Sequence, residues 1–384
     1  AARKSVLVHN LAQGIAALLK SRRITVLEGR AAFVSATELQ VQLLAGGEEP
    51  IEAGAVLLAT GARYEPSDLP GIPANDQLSP DEALALPEAP GTVLVLGGGP
   101  AGLGFAWEYA SLFGVFGERV ILLEPDEFAL SGFDEAVAGV LQESLKQLGV
   151  ELHLGASITG AARSGDSWSV DIESGDQTHS EEVGAILRPD SRVPVSDVPG
   201  LAALGVVGEA GFVEIDAGCA TVAAGLFAAG DVTGPPMLSS VAELQGRVAA
   251  ENALGGAVTA DLTLVPRVLH TEPEIAAVGM TEAAAREEGY DVLLGLANLA
   301  GNGRSASLGR REGLVKLVAD GESGELLGVH LAAPFASEAI AQGVLALQLG
   351  ASVQDLAASV QWHPSIAESI SEAARAALRS LGGR

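Results

Sequence analysis

At 384 residues the chain exceeds what one compact core organises, so two or three domains are expected, and a hydrophobic fraction of 48% is enough to fill them. A formal charge of −27 with no overriding Lys/Arg cluster excludes nucleic acid as a partner, because such a field repels phosphate. The longest apolar runs, at 53–60 and 225–230, fall short of the roughly 20 residues of a membrane helix, which excludes a span and leaves a cytoplasmic location as the expectation.

In chain order, Ala1-Ala2-Arg3-Lys4 has neither an initiator Met nor a signal-peptide core and reads as an internal cut. Leu7, Leu11, Ile15 and Leu18 recur at helical spacing and predict an amphipathic helix. Short β-type runs follow at 24–27, 38–43 and 55–59, the last leading into Thr60-Gly61. Pro66, Pro70, Pro73, Pro80, Pro87 and Pro90 cannot continue a helix or a central strand and mark a crossover between domains.

From Thr92 the pattern alternates: strand 92–96, a Gly-rich turn, helix to about 113, strand 119–123, helix 134–148 and strand 151–154. That is the signature of a parallel α/β unit. Strands at 168–172, 184–187 and 225–229 come next, the last ending in Gly230-Asp231 ahead of a helix from Ser239. The final section places strands 267–271, 275–278, 314–318 and 326–331 before helices 337–349, 352–360 and 364–381, an α+β order.

Gly97-Gly98-Gly99-Pro100-Ala101-Gly102 is a G-x-G-x-x-G between an apolar strand and a helix, and Glu124 ends the next strand. Gly97, Gly99 and Gly102 let backbone approach a pyrophosphate, the helix start offers free N–H groups, and Glu124 can accept both hydroxyls of a ribose. Pro125, Asp126 and Glu127 follow with no Arg to receive a 2′-phosphate, which favours NAD over NADP. Pro364 reads as a helix start with His363 at its mouth and Glu368 in the first turns. Taken alone, a histidine there is more often a surface or capping residue. His9, His153, His179, His270 and His330 lack the spacing of metal ligands, so no metal is expected. The lone Cys219 cannot form an intrachain disulfide and reads as a small core residue.

Ala59-Thr60-Gly61 before the nucleotide unit, Gly230-Asp231-Val232 after it and His363-Pro364-Ser365-Ile366-Ala367-Glu368 near the end resemble the class I pyridine nucleotide-disulfide oxidoreductases. Thr271-Glu272-Pro273-Glu274-Ile275-Ala276-Ala277-Val278-Gly279 and Glu312-Gly313-Leu314-Val315-Lys316 are similar to the dihydrolipoamide dehydrogenase branch. The resemblance implies two dinucleotide-binding α/β domains of three layers, for FAD and NAD, the first incomplete, plus a C-terminal α+β interface domain. Residues 1–90 and 220–262 would be the FAD-binding remnant, 91–219 the NAD-binding domain and 263–384 the interface domain. It further implies that Thr60 and Gly61 lie along FAD, that Asp231 accepts a ribityl hydroxyl, and that the Met237-Leu238 backbone approaches the flavin ring. Arg192 falls in the segment preceding that second flavin motif. His363 would act as a base toward a dithiol of the partner subunit and Glu368 would orient it. A homodimer is implied, with lipoyl-bearing proteins of a 2-oxoacid dehydrogenase complex as partners. Apolar stripes at Ile340, Val344 and Leu347 and at Ile366 and Ile370 are expected to serve the dimer interface.

The chain departs from the family in several places. The N-terminal flavin loop and a C-x4-C disulfide would lie upstream of Ala1, so the chain by itself is expected not to oxidise dithiols. Gly104 occupies the place of a family Glu, and Glu108 takes that role if 104–107 is an inserted helical turn. Asp190-Ser191-Arg192-Val193-Pro194 stands for an Ala-Gly-Arg-x-Pro segment, and Ser240 and Val241 replace the usual His and Lys. Two other functions fit the same residues: a redox-inactive, dimerising structural or regulatory subunit, and another NAD(P)H-dependent disulfide reductase of the family.

Overall fold

The computed structural model describes residues 2–86, 88–114, 117–175 and 177–382. These form two compact units, each assembled from separated stretches of chain.

The first unit combines Ala1–Glu65, Asp81–Pro87 and Arg192–Asp261. Its helix Ala2–Ser21 follows the expected periodicity, but Val6, Leu7, Val8, Leu11, Ile15 and Leu18 all stand exposed. The run at 24–27 is not a strand. Arg23 takes a positive φ, and the Ile24 N–H bonds back to the Leu19 carbonyl, so these residues are the helix exit and not part of a ladder. Pairing begins one step later, in an antiparallel sheet of Gly29–Phe33, Glu38–Leu43 and Glu48–Glu52. The third of these strands escapes sequence reading because its acids and Pro50 lack β character.

Val56–Leu58 and Leu226–Ala228 lie side by side in parallel, and their carboxyl ends deliver Thr60-Gly61 and Gly230-Asp231 to the same edge. Phe33, Leu58, Leu201, Val206, Val213, Leu226 and Val232 form the core beneath them. Gln245, buried on helix Ser239–Ala253, accepts the Gly230 N–H at 2.8 Å and fixes the turn that carries Asp231.

The second unit contains the parallel sheet, in the order Ala185–Leu187, Val93–Leu96, Val120–Glu124, Val150–Leu154. Helix Pro100–Phe113 buries Gly102, Leu103, Ala106, Tyr109 and Ala110, one stripe at helical spacing. Asp134 caps helix Glu135–Gln147 by accepting the Ala136 N–H. An antiparallel layer of Ala156–Ser164, Ser167–Ser174 and Gln177–Val183 closes one side of this core with Trp168, Val170 and Ile172.

The same unit holds a five-stranded antiparallel sheet in the order Arg267–Leu269, Glu274–Gly279, Leu326–Ala333, Leu314–Asp320, Val292–Asn298. The edge strand Val292–Asn298 has no alternating pattern in sequence, since most of its length is apolar on both faces. Helices Ala336–Gln348, Val353–Ala358 and Glu368–Gly382 complete the unit. The predicted interface stripes need correction. Ile340, Ile366 and Ile370 are buried in the core of their own sheet, with Val344 and Leu347 packed against it, because one layer of five strands absorbs the apolar faces of these helices. The apolar groups left exposed in this region are others, among them Leu345, Leu349, Val360 and Trp362.

Candidate functional site

The glycine loop follows Val93–Leu96 and opens helix Pro100–Phe113, with Gly99 at the N-cap and no side chain bonded there. Gly97 has φ +98°, and a Cβ on Gly102 would fall 1.7 Å from the Gly97 carbonyl oxygen. Only glycine allows this tight a crossing of helix over loop. Glu124 is at the end of the adjacent strand, where it accepts the Gly98 N–H and, at 2.9 Å, the Asp126 N–H. The loop therefore fits the backbone geometry of a dinucleotide cradle with an acid at its rim. One residue opposes it. Asp190, exposed just beyond strand Ala185–Leu187, places Oδ2 only 2.7 Å from where a Cβ of Gly97 would be and 3.2 Å from one on Gly99. Sequence reading singled out Ser191 at this point and missed its neighbour.

Glu108 is on the face of its helix opposite the buried stripe and reaches solvent, yet desolvation by the surrounding protein holds its carboxyl above the usual range. The adjacent Tyr109 is pushed up to about 12, by burial and then by the charge of Glu108. Within the same turn the Trp107 indole N–H is buried with no partner among the described residues.

At the edge of the first unit's parallel pair, the Thr60 hydroxyl donates to the Val195 carbonyl at 2.6 Å, and Gly61 has φ +72° with open space where a Cβ would point. Arg192 bonds Asp231 at 3.1 Å. Met237 and Leu238 are half-buried and lead into helix Ser239–Ala253, with Ser240 and Val241 in its first turn. Open backbone at Gly61 and a carboxylate at a strand end suit one wall of a site for a hydroxyl-bearing ligand.

His363 Nδ1 lies 2.8 Å from Glu368 Oε2; the histidine is 78% exposed and the glutamate 13%. The helix does not start at Pro364. Regular α-helix starts at Glu368, and the turn leading into it is closed by Ser365, whose Oγ accepts the Glu368 N–H while Glu368 Oε1 accepts the Ser365 N–H, a reciprocal S-x-x-E arrangement. His363 consequently stands on an irregular segment before the helix, and the carboxylate reaches back to it.

Asn302, which sequence reading missed, ties this segment down. Its buried amide donates to the Ser365 carbonyl, to Glu368 Oε1 and to Ser369 Oγ, while its carbonyl oxygen caps helix Gly303–Leu308. The legible signal was an Asn ahead of a Gly, an ordinary N-cap, with nothing in it to indicate contact with residues so distant in sequence. A second missed cluster joins the two halves of this unit. Lys316 on the five-stranded sheet contacts Asp134 at 2.9 Å and Glu282 at 2.6 Å. Burial alone would lower the Lys316 ammonium, but its bonds to Glu282 and Asp134 raise it above its ordinary value. Burial likewise works to raise Asp134, and the Lys316 and Ala136 hydrogen bonds outweigh it and hold the carboxyl low. His330, packed beside them, is driven down by burial and stays neutral, with one ring nitrogen on the Met280 carbonyl at 2.8 Å.

Among the described residues no group of His, Cys, Asp and Glu is arranged to hold a metal, and no helix is long and apolar enough to cross a membrane. Cys219 is buried, and burial followed by the nearby Asp216 charge raises its thiol.

Comparison with known proteins matches residues 2–246 to the pyridine nucleotide-disulphide oxidoreductase family and residues 265–374 to that family's dimerisation domain. A dihydrolipoyl dehydrogenase of Thermus scotoductus is 37% identical over 96% of this chain and 78% of its own length. One from Geobacillus stearothermophilus is 33% identical over 98% and 79%. Among solved structures, LpdA of Mycobacterium tuberculosis superposes with a TM-score of 0.88 at 30% identity, covering 97% of this chain and 82% of that one. RclA of Escherichia coli, a flavoprotein disulfide reductase, gives 0.86 at 27% identity over 97% and 83%. The dimerisation domain supports a homodimer. The chain belongs to the pyridine nucleotide-disulphide oxidoreductase family, which uses FAD and NAD, and within it is a flavoenzyme of the dihydrolipoyl dehydrogenase type.

Proposed function

We propose that the protein takes part in electron transfer between protein-bound dihydrolipoamide and NAD, with His363 as the proton acceptor for the dithiol. The observation that carries this reading is the His363–Glu368 pair at 2.8 Å on a segment anchored by buried Asn302. Glu368 engages Nδ1, which leaves Nε2 as the nitrogen that takes a thiol proton, and its charge stabilises the imidazolium that results. Glu368 is itself held by Asn302 and Ser365, so the ring keeps its orientation at little further entropic cost.

Gly97, Gly99 and Gly102 hold the NAD pyrophosphate in this reading, and Glu124 receives the ribose. Thr60, Gly61, Arg192, Asp231, Met237 and Leu238 line the flavin, and Glu108 is a further cofactor-binding residue, carried by the nucleotide-domain helix. The flavin supplies a two-electron relay between dithiol and nicotinamide when bound. The segments 1–90 with 220–262, 91–219 and 263–384 serve as flavin, NAD and interface domains in this reading, except that 192–219, which packs within the first compact unit, goes with the flavin domain, and lipoyl-bearing proteins of a 2-oxoacid dehydrogenase complex are the partners. The substrate-exchanging thiols are not supplied by these residues, whose single cysteine is buried. The test uses flavin-loaded protein that also carries the family's C-x4-C disulfide, which these residues do not supply. His363→Gln should slow bleaching of the flavin band by dihydrolipoamide by about 100-fold and leave NADH-to-dye transfer intact, since base catalysis serves only the dithiol half. Equal slowing of both halves would refute the assignment of His363.

Gly104 and Ser191, which stand where the family carries a Glu and a Gly, favour a second reading, a dimerising relative without redox turnover. A flavin band bleached by NADH would overturn it.

A further inference from the structure

We infer that Asp190 is an affinity-setting residue at the glycine loop, an internal carboxylate that competes with the dinucleotide pyrophosphate for the same backbone cradle. The inference rests on the reading of Gly97–Gly102 as the dinucleotide site.

Strand Ala185–Leu187 pairs in parallel with Val93–Leu96, so both end at the edge where ligands of an open α/β sheet bind. The first strand leads to Asp190 and the second to Gly97. Asp190 Oδ2 is 2.7 Å from the Cβ position of Gly97 and 3.2 Å from that of Gly99. These are the two glycines whose missing side chains leave room for phosphate, and a carboxylate oxygen already fills that room. Glu124 occupies the opposite side of the loop, within 3.0 Å of the Cβ position of Gly98 through its side-chain carbons. The loop is thus bracketed by two acids with different consequences. Glu124 lies where a ribose hydroxyl can donate to it, and Asp190 lies where a phosphate would meet like charge. An entering pyrophosphate must displace the Asp190 side chain or bind beside its charge. Both routes weaken binding of phosphate-bearing ligands, and neither affects a nucleoside that lacks phosphate.

The experiment titrates the whole chain and its Asp190→Asn variant with NADH, followed by nicotinamide fluorescence, and with adenosine, followed by calorimetry, each at low and high salt. Asn keeps the shape of Asp and removes the charge. Asp190→Asn should bind NADH about tenfold more tightly than the parent, with adenosine affinity unchanged, because the penalty is electrostatic and local. High salt should narrow the gap by screening the parent's repulsion. Asp190→Ala, with thermal melts of all three proteins, separates charge from any bond that Asn preserves. Equal NADH affinity in parent and both variants, or weaker binding by the variants, would overturn the role of Asp190 while the loop remains the dinucleotide site. Failure of every protein to saturate with NADH would refute the loop reading, and the inference with it.

Discussion

The glycine loop and the His363 segment lie in the same compact unit, but they are prepared for chemistry to different degrees. Around His363 every polar group that orients the ring is itself oriented: Glu368 by Ser365 and Asn302, and Asn302 by the helix it caps. At the glycine loop the backbone is equally determined, since a Cβ at Gly102 would collide with Gly97, yet an acid lies over the cradle. The difference shows that backbone shape and electrostatic character are set by separate residues. Glycines fix the first locally, and a residue from the neighbouring strand's end alters the second.

The strongest way to break the comparison is to cut what joins the two regions. Lys316→Met leaves Asp134 and Glu282 without their buried cation and should cost about 3 kcal/mol or more, read by urea melts. A single transition shifted as a whole would show one cooperative unit, whereas a split transition would mean that loop and His363 segment are stabilised independently. Gly102→Val comes next. Its methyl groups cannot be placed without moving the Gly97 backbone, which predicts a loss of about 2 kcal/mol and roughly a hundredfold weaker NADH binding with the C-terminal sheet intact. Unchanged NADH affinity would detach the dinucleotide from this loop.

Asn302→Ala tests the other side. Loss of the cap and of three side-chain bonds should lower stability by about 1–2 kcal/mol and mobilise the His363 ring, seen as sharpened imidazole proton resonances. A rigid ring in that variant would assign the orientation to Glu368 alone.

The smallest effect is with pH. His330 is neutral when folded because its value is depressed below the ordinary 6.5, so the unfolded chain binds the extra proton first on acidification. Stability is therefore full above the unfolded value and declines as pH falls below about 6.5, by about 1.4 kcal/mol per unit at most. The depressed Asp134 acts in the same direction at lower pH, its contribution being present above its unfolded value and lost as pH falls through the folded one. His330→Gln should flatten the first decline only, and a melt series between pH 4 and 8 checks it.

Much of this was legible from local pattern. The alternation after Thr92, the loop with Glu124, the Gly230-Asp231 strand end and the His363/Glu368 spacing all depend on residues near one another in sequence. What sequence concealed depends on pairing between distant segments. Asp190 reaches the loop because two strands are neighbours in the sheet, and Lys316 meets Asp134 because a strand register carries it there. The misassigned stripe at Ile340 and Ile370 has the same origin, since an amphipathic pattern shows that a face is buried without saying against what. The helix start near Pro364 failed for a local reason, competition from Ser365 as the better cap.

Cys219, a small core side chain with its thiol held protonated by burial, also makes this 384-residue chain a convenient object for site-directed spectroscopy. A thiol-reactive dye or spin label should find no competing target in the folded chain. A single cysteine introduced at exposed Trp362, next to His363, would then report on that segment alone, without first stripping the background by mutation.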